Sequence, residues 1–525
     1  MHWLDWVMLG LFFCILVTVG VISLLKVRQS SDYFVGGGKL PWWIGGISHH
    51  VGGYSAVVFT SWAAYAYRDG VSLYFWWALG FAVCCSAGAF LVAPRWVEAR
   101  EKWKVQSPTE YLAIRYGFST QQLIVWSGVF LKLMDLAGKT LAMAVILNGF
   151  ANVPLPTGII ITGCVGLVYN TLGGFFASTR NDVFQFLVQL LGGVLMFFFV
   201  LNALETKFDV GYFGMWDKLD PHNFWVLSDQ CNLFFAIGFW LAIFFGCTGG
   251  NWGAGLRFIA SPSAKQATKT ALLSGGLYVI WPLVIFSPMW AAPLLYPGMS
   301  DFKEMEKIYT IMTLDLMPQG VVGIILASMF AASISTIAGD CNAVASVIAR
   351  DIAPCFSRKV IDEKGQTPMW FARTVAFVFT SLTILVAIYS DYFGGVVGLV
   401  VKWFSGLLGP ISVPLVLGLL PYFRRCGVLA ANLSVVCGIA AFFVIESFSW
   451  IPHLAKLESF SWIATVPCLK DISAAPLSYS LFFPVVTSLV IFWLFSWGPE
   501  RQSKIGGTLE DLGQDKKNSV SEESL

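Results

Sequence analysis

Charged side chains are scarce in this 525-residue chain, where they make up 12% of the total. A soluble globular protein carries roughly 25% charged residues, so a surface that faces water on all sides cannot be built here. The 33 basic side chains nearly balance the 31 acidic ones, and the net charge of +2 provides no positive field for binding nucleic acid. With 11 cysteines, the chain is also too poor in cysteine to be a secreted disulfide scaffold.

Sequence motifs for nucleotides, zinc and covalent catalysis are absent as well. The run GGGK at 36–39 lacks the second half of a phosphate-binding loop, and no GxxxxGKS/T motif occurs elsewhere. No cysteine and histidine cluster has the spacing of a zinc site, and no serine, histidine and acid set points to nucleophilic catalysis. We therefore predict a protein that is not an enzyme, does not use ATP and has no organic cofactor.

Long apolar runs dominate instead, and 57% of the residues are hydrophobic. A membrane-spanning helix needs about 20 mainly apolar residues, whereas an outer-membrane barrel would show short alternating segments. The runs predict an all-α polytopic membrane protein with about thirteen transmembrane helices in contact with the lipid bilayer. The predicted spans are 4–25, 42–67, 72–94, 121–150, 156–172, 182–204, 232–254, 271–295, 320–348, 371–389, 393–420, 427–447 and 478–498.

The positions of the basic residues predict the orientation, because Lys and Arg are enriched in cytoplasmic loops. Most of them follow odd-numbered spans, which places the N-terminus outside and the C-terminus in the cytoplasm, in an inner or plasma membrane. Seven lie in the opposite loops: Arg68, Lys207, Lys218, Lys303, Lys307, Lys456 and Lys470. The first span has no basic segment before it and no clear cleavage site, so we predict that it is retained.

The segments outside the spans differ in character. The tail 499–525 is polar and predicts a disordered cytoplasmic end. The outer loops 205–231 and 448–477 contain Trp and Phe and could fold over the mouth of the protein. Cys231 and Cys468 lie in these two loops, where a disulfide and two free thiols both remain open.

Spans 2 and 7 contain clustered glycines and polar groups where an uninterrupted helix would have leucine. Span 2 includes HHVGGYS at 49–55, and span 7 ends in GCTGGNWGAG at 246–255. Unwound backbone inside a membrane is tolerated only when it is buried or lines a watery cavity, and its carbonyls can then coordinate a small cation. Because the two breaks are five spans apart, they predict a five-plus-five inverted repeat with a binding site near its midplane. Close helix packing on the glycines is the alternative, and it explains one break more readily than two.

Span 9 carries hydroxyl groups at depth, in the run ASISTIAGDCN at 332–342. Ser335, Thr336, Gly339 and Asn342 fall near one helical face. Hydroxyls together with main-chain carbonyls form a hard oxygen site, which suits an alkali cation. The alternative is that each hydroxyl bonds to a carbonyl of its own helix.

Charged residues inside the spans are costly and by default indicate function. Asp135 in span 4 lies between Lys132 and Lys139, where it either pairs with Lys139 or contacts a substrate. Lys402 in span 11 has no acid within four residues, so it needs a partner from another helix, a lipid headgroup or a substrate carboxylate. Asp182 opens span 6, where an acid at the start of a helix is also unremarkable.

Together these residues resemble the solute:sodium symporter family, which includes sodium/glucose, proline and sialic acid cotransporters. The resemblance covers nearly the whole chain. It rests on DYFVGGGKLP at 32–41, YNTLGGF at 169–175, NDVFQ at 181–185, LRF at 256–258, the span 9 run, and Arg425 with Ala430-Ala431.

The resemblance implies a leucine-transporter-like fold, with spans 2–6 and 7–11 as the inverted repeats, and sodium-coupled uptake by alternating access. Na+ is then the coupling ion, and Asp182 is a carboxylate linked to cation coupling. The implied sodium ligands are the backbone carbonyls of Val51, Tyr54 and Ala332 and the hydroxyls of Ser335 and Thr336.

The implied domain organisation follows the repeats. It consists of a leading helix at 1–30, a first repeat at 31–205, a second repeat at 232–420, two C-terminal helices at 421–498 and the tail at 499–525.

The substrate pocket departs from those of the family members named above. Members that bind a second sodium carry hydroxyls where this chain has Ala338 and Gly339, and sugar transporters have Gln at the position of Lys402. We predict that a small polar organic solute is imported, with a sugar slightly favoured over a carboxylate or an amino acid. The predicted contacts are Ser55, Trp76, Trp77, Asp135, Asn251, Trp252 and Lys402.

Two other functions stay open at this stage. A proton-coupled carrier would use His49 or His50, although a buried histidine is more often a hydrogen-bonded packing residue. A membrane sensor that keeps the transporter fold without transport would carry an appended signalling domain, and the tail 499–525 offers none.

Overall fold

The computed structural model describes residues 1–24, 35–227, 232–356, 368–448 and 476–497. Helices dominate these ranges and no β-strand occurs in them, so the predicted all-α class is confirmed. The first α-helices are α1 (Trp3–Leu24), α2 (Trp42–Val51), α3 (Ala56–Phe59), α4 (Ser61–Asp69), α5 (Gly80–Leu91), α6 (Ala93–Trp103), α7 (Glu110–Arg115), α8 (Phe118–Ala151), α9 (Leu155–Phe208), α10 (Met215–Lys218) and α11 (Leu233–Phe245). The others are α12 (Trp252–Ile259), α13 (Ala264–Leu295), α14 (Phe302–Met305), α15 (Ile308–Leu316), α16 (Val321–Val347), α17 (Ala353–Phe356), α18 (Met369–Ile388), α19 (Gly395–Val397), α20 (Ser405–Leu417), α21 (Val428–Phe448) and α22 (Pro476–Leu494).

Among the described residues, fewer than thirteen helices qualify as membrane spans by length and composition. In the described ranges, 9 helices are long and apolar enough to cross a membrane, or 10 if α8 and the segment Leu155–Leu167, bent by 119°, count as one span. The apolar part of α1 is shorter, and the second predicted span is divided among α2, α3 and α4. The count of thirteen is therefore not confirmed. The expectations for Cys231, Cys468 and the tail 499–525 concern residues outside the described ranges.

The predicted spans 156–172 and 182–204 belong to one helical element, α9, which runs for 54 residues. Helical backbone continues through the Gly173-Gly174 pair, where the sequence predicts a separation between two spans. Glycine can adopt helical torsions, although at a cost in backbone entropy, so a glycine pair does not by itself end a helix.

The first broken helix is formed by α2 and α3. α2 ends at Val51, the α-helix is interrupted over 52–55, and α3 begins at Ala56. The Ser55 hydroxyl caps α3 by accepting a hydrogen bond from the N–H of Val57 at 3.3 Å. The predicted break in the second span is thus confirmed.

The second broken helix is formed by α11 and α12, which a wide helical turn at Gly246–Gly250 connects. Gly249 has φ of +126°, a conformation that other L-residues rarely adopt, and a Cβ there would lie 2.6 Å from the indole of Trp96. Asn251 caps α12 through its Oδ1, which accepts from the N–H of Gly253 at 3.3 Å. This break is also where the glycine cluster predicts it.

The helix α16 lies at the centre of the molecule. It packs most extensively against α9, and the side chains from 325 to 347 are buried. A helix that is apolar on all sides belongs in a core, and here the few polar groups of α16 face other parts of the protein interior. The helix α1 packs against both α9 and α16.

Asp5 of α1 caps the N-terminus of α16. Its Oδ1 accepts hydrogen bonds from the backbone N–H groups of Gly320 at 2.6 Å and Gly323 at 3.2 Å, and the residue is buried. A carboxylate at this end of a helix satisfies otherwise unpaired donors and interacts favourably with the helix dipole.

We expect Asp5→Ala to lower the free energy of unfolding by about 0.5–2 kcal/mol, the usual cost of losing a helix cap. Thermal unfolding in detergent measures the change. Asp5→Asn, which keeps an acceptor, should lose less, and Asp217→Ala in the first turn of α10 serves as an exposed control. Equal melting temperatures for wild type and Asp5→Ala would contradict the capping role.

Candidate substrate and cation site

A cavity of about 130 Å³ lies between the two broken helices. The breaks at 52–55 and 246–251 contribute to its wall, together with residues of α8, α16 and α20. Its wall combines aromatic rings with charged and polar groups. The aromatic members are Trp62, Trp77, Phe81, Phe239, Tyr278 and Phe404, and the polar or charged members include His49, Ser55, Asp135, Lys139, Asn251, Arg257, Thr336 and Asp340.

Four of the predicted substrate contacts line this cavity: Ser55, Trp77, Asp135 and Asn251. Ser55 lies in the first broken helix, and Trp77 lies in the turn before α5. Asp135 lies in the middle of α8, and Asn251 caps α12. The fold therefore brings together groups that are as much as 196 positions apart in the chain, between Ser55 and Asn251.

The other three predicted contacts, Trp76, Trp252 and Lys402, lie outside the cavity wall. The indole N–H of Trp76 donates to the carbonyl of Val226 at 2.5 Å. The indole of Trp252 is buried, and it fills the space that the missing side chain of Gly128 leaves. Each tryptophan is thus engaged in contacts within the protein.

Lys402 finds its partner on another helix. Its Nζ lies 2.5 Å from Oε1 of Glu446 in α21, and both side chains are about four-fifths buried. Of the three partners that the sequence left open, the structure selects an acid from another helix. The pair joins the segment before α20 to the C-terminal helices and does not face the cavity.

Four of the five oxygen atoms proposed as sodium ligands converge beside the cavity. The Thr336 hydroxyl is within hydrogen-bonding reach of three carbonyls, those of Ala332 at 2.8 Å, Val51 at 3.5 Å and Tyr54. A hydroxyl carries one proton, so it can donate to only one of these carbonyls at a time. The spare lone pairs of this buried oxygen cluster are the kind of group that an alkali cation can bind.

Ser335 faces in another direction from its neighbour Thr336. Its hydroxyl donates to Oδ1 of Asp182, which lies on α9 and is fully buried. Oδ2 of Asp182 accepts from the Ser48 hydroxyl and lies 3.4 Å from the guanidinium of Arg257. Asp182 therefore connects α16 with both broken helices, next to the oxygen cluster.

Arg257 completes this second group of contacts. Its Nε donates to the Ser48 hydroxyl at 2.7 Å, and one terminal nitrogen donates to the carbonyl of Gly253 at 2.7 Å. A Cβ at position 339 would meet the guanidinium at 2.9 Å, so Gly339 provides the space that Arg257 occupies. The cationic partner of Asp182 is thus an arginine side chain whose position is fixed by hydrogen bonds.

The ring of His49 bridges the two broken helices. Nε2 lies 2.9 Å from the carbonyl of Cys247, which can only accept, and Nδ1 lies 2.8 Å from the Ser274 hydroxyl. His50 points elsewhere and packs between the rings of Tyr54 and Tyr278, with ring centroids 4.8 and 4.5 Å away. Both histidines are therefore used for contacts within the core.

Four charged side chains form a closed ring, of which Asp135, Lys139 and Asp340 line the cavity. Lys132 lies 3.1 Å from Asp135 and 2.9 Å from Asp340, and Lys139 lies 2.9 Å from Asp135 and 2.8 Å from Asp340. Lys132 also donates to Oδ1 of Asn251 at 2.7 Å. We call these four charged residues the charge ring. The sequence suggested only the pair Asp135–Lys139, which the structure extends to four groups on two helices.

Several residues of the site were not among the predicted contacts. Lys132, Lys139 and Asp340 carry charge at membrane depth, which is the signal that could have identified all three. Arg257 lies in the run LRF that carried part of the resemblance. Ser48 had no signal of its own, because an isolated serine in a helix is common.

Sequence comparison relates this chain to known transporters. A family model described as "Sodium:solute symporter family" matches residues 33–438. The sodium/sialic acid symporter SiaT of Proteus mirabilis is 24% identical over 81% of this chain and 86% of its own. The sodium-coupled monocarboxylate transporter 2 of Bos taurus is 25% identical over 82% and 70%, and the sodium/glucose cotransporter of Vibrio parahaemolyticus is 23% identical over 84% of each chain.

Solved structures show the same fold. A sodium-coupled sialic acid symporter in a substrate-bound outward-open state aligns with a TM-score of 0.75 and 21% identity, over 95% of this chain and 99% of that chain. The nucleobase-cation-symport-1 transporter Mhp1 aligns with a TM-score of 0.54 and 14% identity, over 90% and 98%. The predicted leucine-transporter-like architecture with broken helices is thereby confirmed.

Proposed function

The chain belongs to the sodium:solute symporter family, and on that basis we propose that it imports a small polar organic solute together with sodium by alternating access. As a member of a transporter family with many apolar helices, it is a multi-pass membrane protein. We further propose the orientation that the basic residues predict, with the N-terminus outside.

The observation that carries this proposal is the oxygen cluster around Thr336. Val51 and Tyr54 supply carbonyls from the first broken helix, whereas Ala332 and Thr336 supply oxygens from α16. A sodium ion held by these groups would link the broken helix to α16. Such a link stabilises one arrangement of the two helices over others, which is what coupling by an ion requires.

The neighbouring contacts supply a route from the ion to the substrate. Asp182 bonds to Ser335, next to the oxygen cluster, and approaches Arg257, which lines the cavity. We propose that sodium binding fixes these groups and so raises the affinity for the solute. By linkage, the solute must then raise the affinity for sodium by the same factor. The membrane potential adds about 2.3 kcal/mol to the driving force for import, for each elementary charge moved inward and each 100 mV.

Membership of the family does not specify the chemical class of the solute, so that class is part of our proposal. The aromatic side chains Trp62, Trp77 and Phe404 provide flat apolar surfaces of the kind on which a sugar ring stacks. The charged side chains Asp135, Lys139 and Asp340 provide partners for an acid or a zwitterion. Relatives named for sialic acid, for monocarboxylates and for glucose are similarly distant from this chain.

The test uses sodium as the probe. We expect the melting temperature of the purified protein to rise when choline chloride is replaced by sodium chloride at equal ionic strength, because an ion that binds only the folded state stabilises it. In proteoliposomes, uptake of labelled glucose, lactate or proline should be stimulated by an inward sodium gradient and not by choline. Identical melting curves and uptake in both salts would overturn sodium coupling, and stimulation by a proton gradient instead would point to a proton-coupled carrier.

A further inference from the structure

The charge ring is electrically balanced but not saturated with hydrogen bonds. A lysine ammonium carries three N–H donors. Lys132 has three acceptors, namely Asp135, Asn251 and Asp340, at 3.1, 2.7 and 2.9 Å. Its donors are therefore fully used within the protein.

Lys139 differs from Lys132 in this respect. Among the described residues it has two acceptors, Asp135 at 2.9 Å and Asp340 at 2.8 Å, which leaves one N–H donor. Lys139 also lines the cavity, whereas Lys132 does not. An ammonium donor that faces a buried cavity is costly to leave without a partner, so the remaining N–H indicates an acceptor on a ligand.

The charges around the cavity indicate what kind of acceptor this is. Three cations, Lys132, Lys139 and Arg257, stand against three anions, which are Asp135, Asp182 and Asp340. These described side chains sum to zero, so a sodium ion bound beside them leaves one uncompensated positive charge in a low-dielectric interior. A neutral sugar does not cancel that charge, and a carboxylate does.

We propose that the solute carries a carboxylate and that Lys139 is the residue that binds it. The inference rests on the proposed sodium symport, because the bound sodium supplies the charge that the carboxylate balances. Lys132 and the two aspartates act as positioning residues, since they hold the Lys139 ammonium between α8 and α16. The aromatic part of the wall accommodates the remainder of the solute.

The first experiment compares pairs of solutes that differ in the carboxylate. Lactate is paired with lactamide and gluconate with glucose, and each is added to the purified protein in sodium chloride and in choline chloride. In sodium chloride, we expect a carboxylate to raise the melting temperature of the protein and its neutral counterpart to leave it unchanged. In choline the carboxylate should lose most of this effect.

The second experiment tests Lys139 in a way that preserves the charge balance. Lys139→Gln combined with Asp135→Asn removes one cation and one anion and leaves Lys132 paired with Asp340. We expect the apparent affinity for the carboxylate to fall on the order of tenfold to hundredfold, as for a lost hydrogen bond between charged groups. Sodium without solute should still raise the melting temperature of this double variant, and that response shows that the variant is folded.

A matched control removes an ion pair elsewhere. Arg95 and Glu98 of α6 form a pair at 3.0 Å that takes no part in the cavity wall, and Arg95→Gln with Glu98→Gln should leave carboxylate affinity unchanged. Sodium-dependent stabilisation by glucose or lactamide, with no response to either acid, would overturn the carboxylate inference and leave sodium symport intact. Absence of any response to sodium would overturn both proposals.

Discussion

Replacing Ser335 and Thr336 together by alanine should raise the sodium concentration for half-maximal uptake by at least tenfold. Thr336 contributes the hydroxyl around which three carbonyls converge, and Ser335 holds the adjacent Asp182. A hydrogen bond to a charged group contributes about 1.5–3 kcal/mol, and we expect a similar loss when the Thr336 oxygen is removed from the ion. That loss corresponds to roughly tenfold to hundredfold in sodium affinity.

Single variants at Thr336 test its hydroxyl separately from that of Ser335. Thr336→Ser keeps the oxygen and should retain sodium dependence close to that of wild type, whereas Thr336→Ala should not. Thr383→Ala in α18 is a matched control, because the Thr383 hydroxyl is buried and donates to the carbonyl of Phe379 on its own helix at 2.9 Å. The measurement is uptake into proteoliposomes over a range of sodium concentrations. If the double variant has the sodium dependence of wild type, the assignment of the cation site is wrong.

Arg257→Met should destabilise the protein more than the loss of the Asp5 cap does, and we expect it to abolish transport. Arg257 is 3% exposed and Asp182 is fully buried, so removal of the guanidinium leaves a carboxylate without its cation in the interior. Breaking a buried ion pair in this way costs about 3–5 kcal/mol. The carbonyl of Gly253 and the Ser48 hydroxyl lose a donor at the same time.

The double variant Arg257→Met with Asp182→Asn distinguishes charge imbalance from lost packing. It removes the uncompensated charge, so it should melt at a higher temperature than Arg257→Met alone even though one more residue is changed. The two residues contact each other, so the effects of the single changes should not add. Transport should stay low in the double variant, because Ser48 and Ser335 no longer share a carboxylate. A double variant that is destabilised by the sum of both single effects would contradict the ion pair.

The breaks in the helices show what a short stretch of sequence can specify. Gly249 needs a positive φ, and the glycine itself supplies that freedom. Polar residues inside an apolar run likewise indicate a break in the helix, and this signal does not depend on which residues pack against the break. The break at 52–55 was predictable for the same reason, because the information lies within a few consecutive residues.

The partners of the charged residues show the opposite case. Lys402 was expected at the substrate, but its acid lies on α21, and nothing in the sequence near Lys402 points to Glu446. Asp135 and Lys139 were recognised as a local pair, whereas Asp340 bonds to Lys139 from 201 positions away. Ser335 and Thr336 were predicted to bind the same ion, yet their hydroxyls contact different groups in the structure.

The class of protein, its family and the breaks in the second and seventh predicted spans follow from the amino-acid sequence. Scarcity of charge, length of apolar runs and clusters of glycine are local properties, and they need no knowledge of which helices touch. The pairing of the few charges at depth required the folded structure, because each pairing depends on packing between helices far apart in the chain. Among the described residues, those pairings leave Lys139, which lines the cavity, with one unused N–H donor, and they pair Lys402 with Glu446 instead of the cavity.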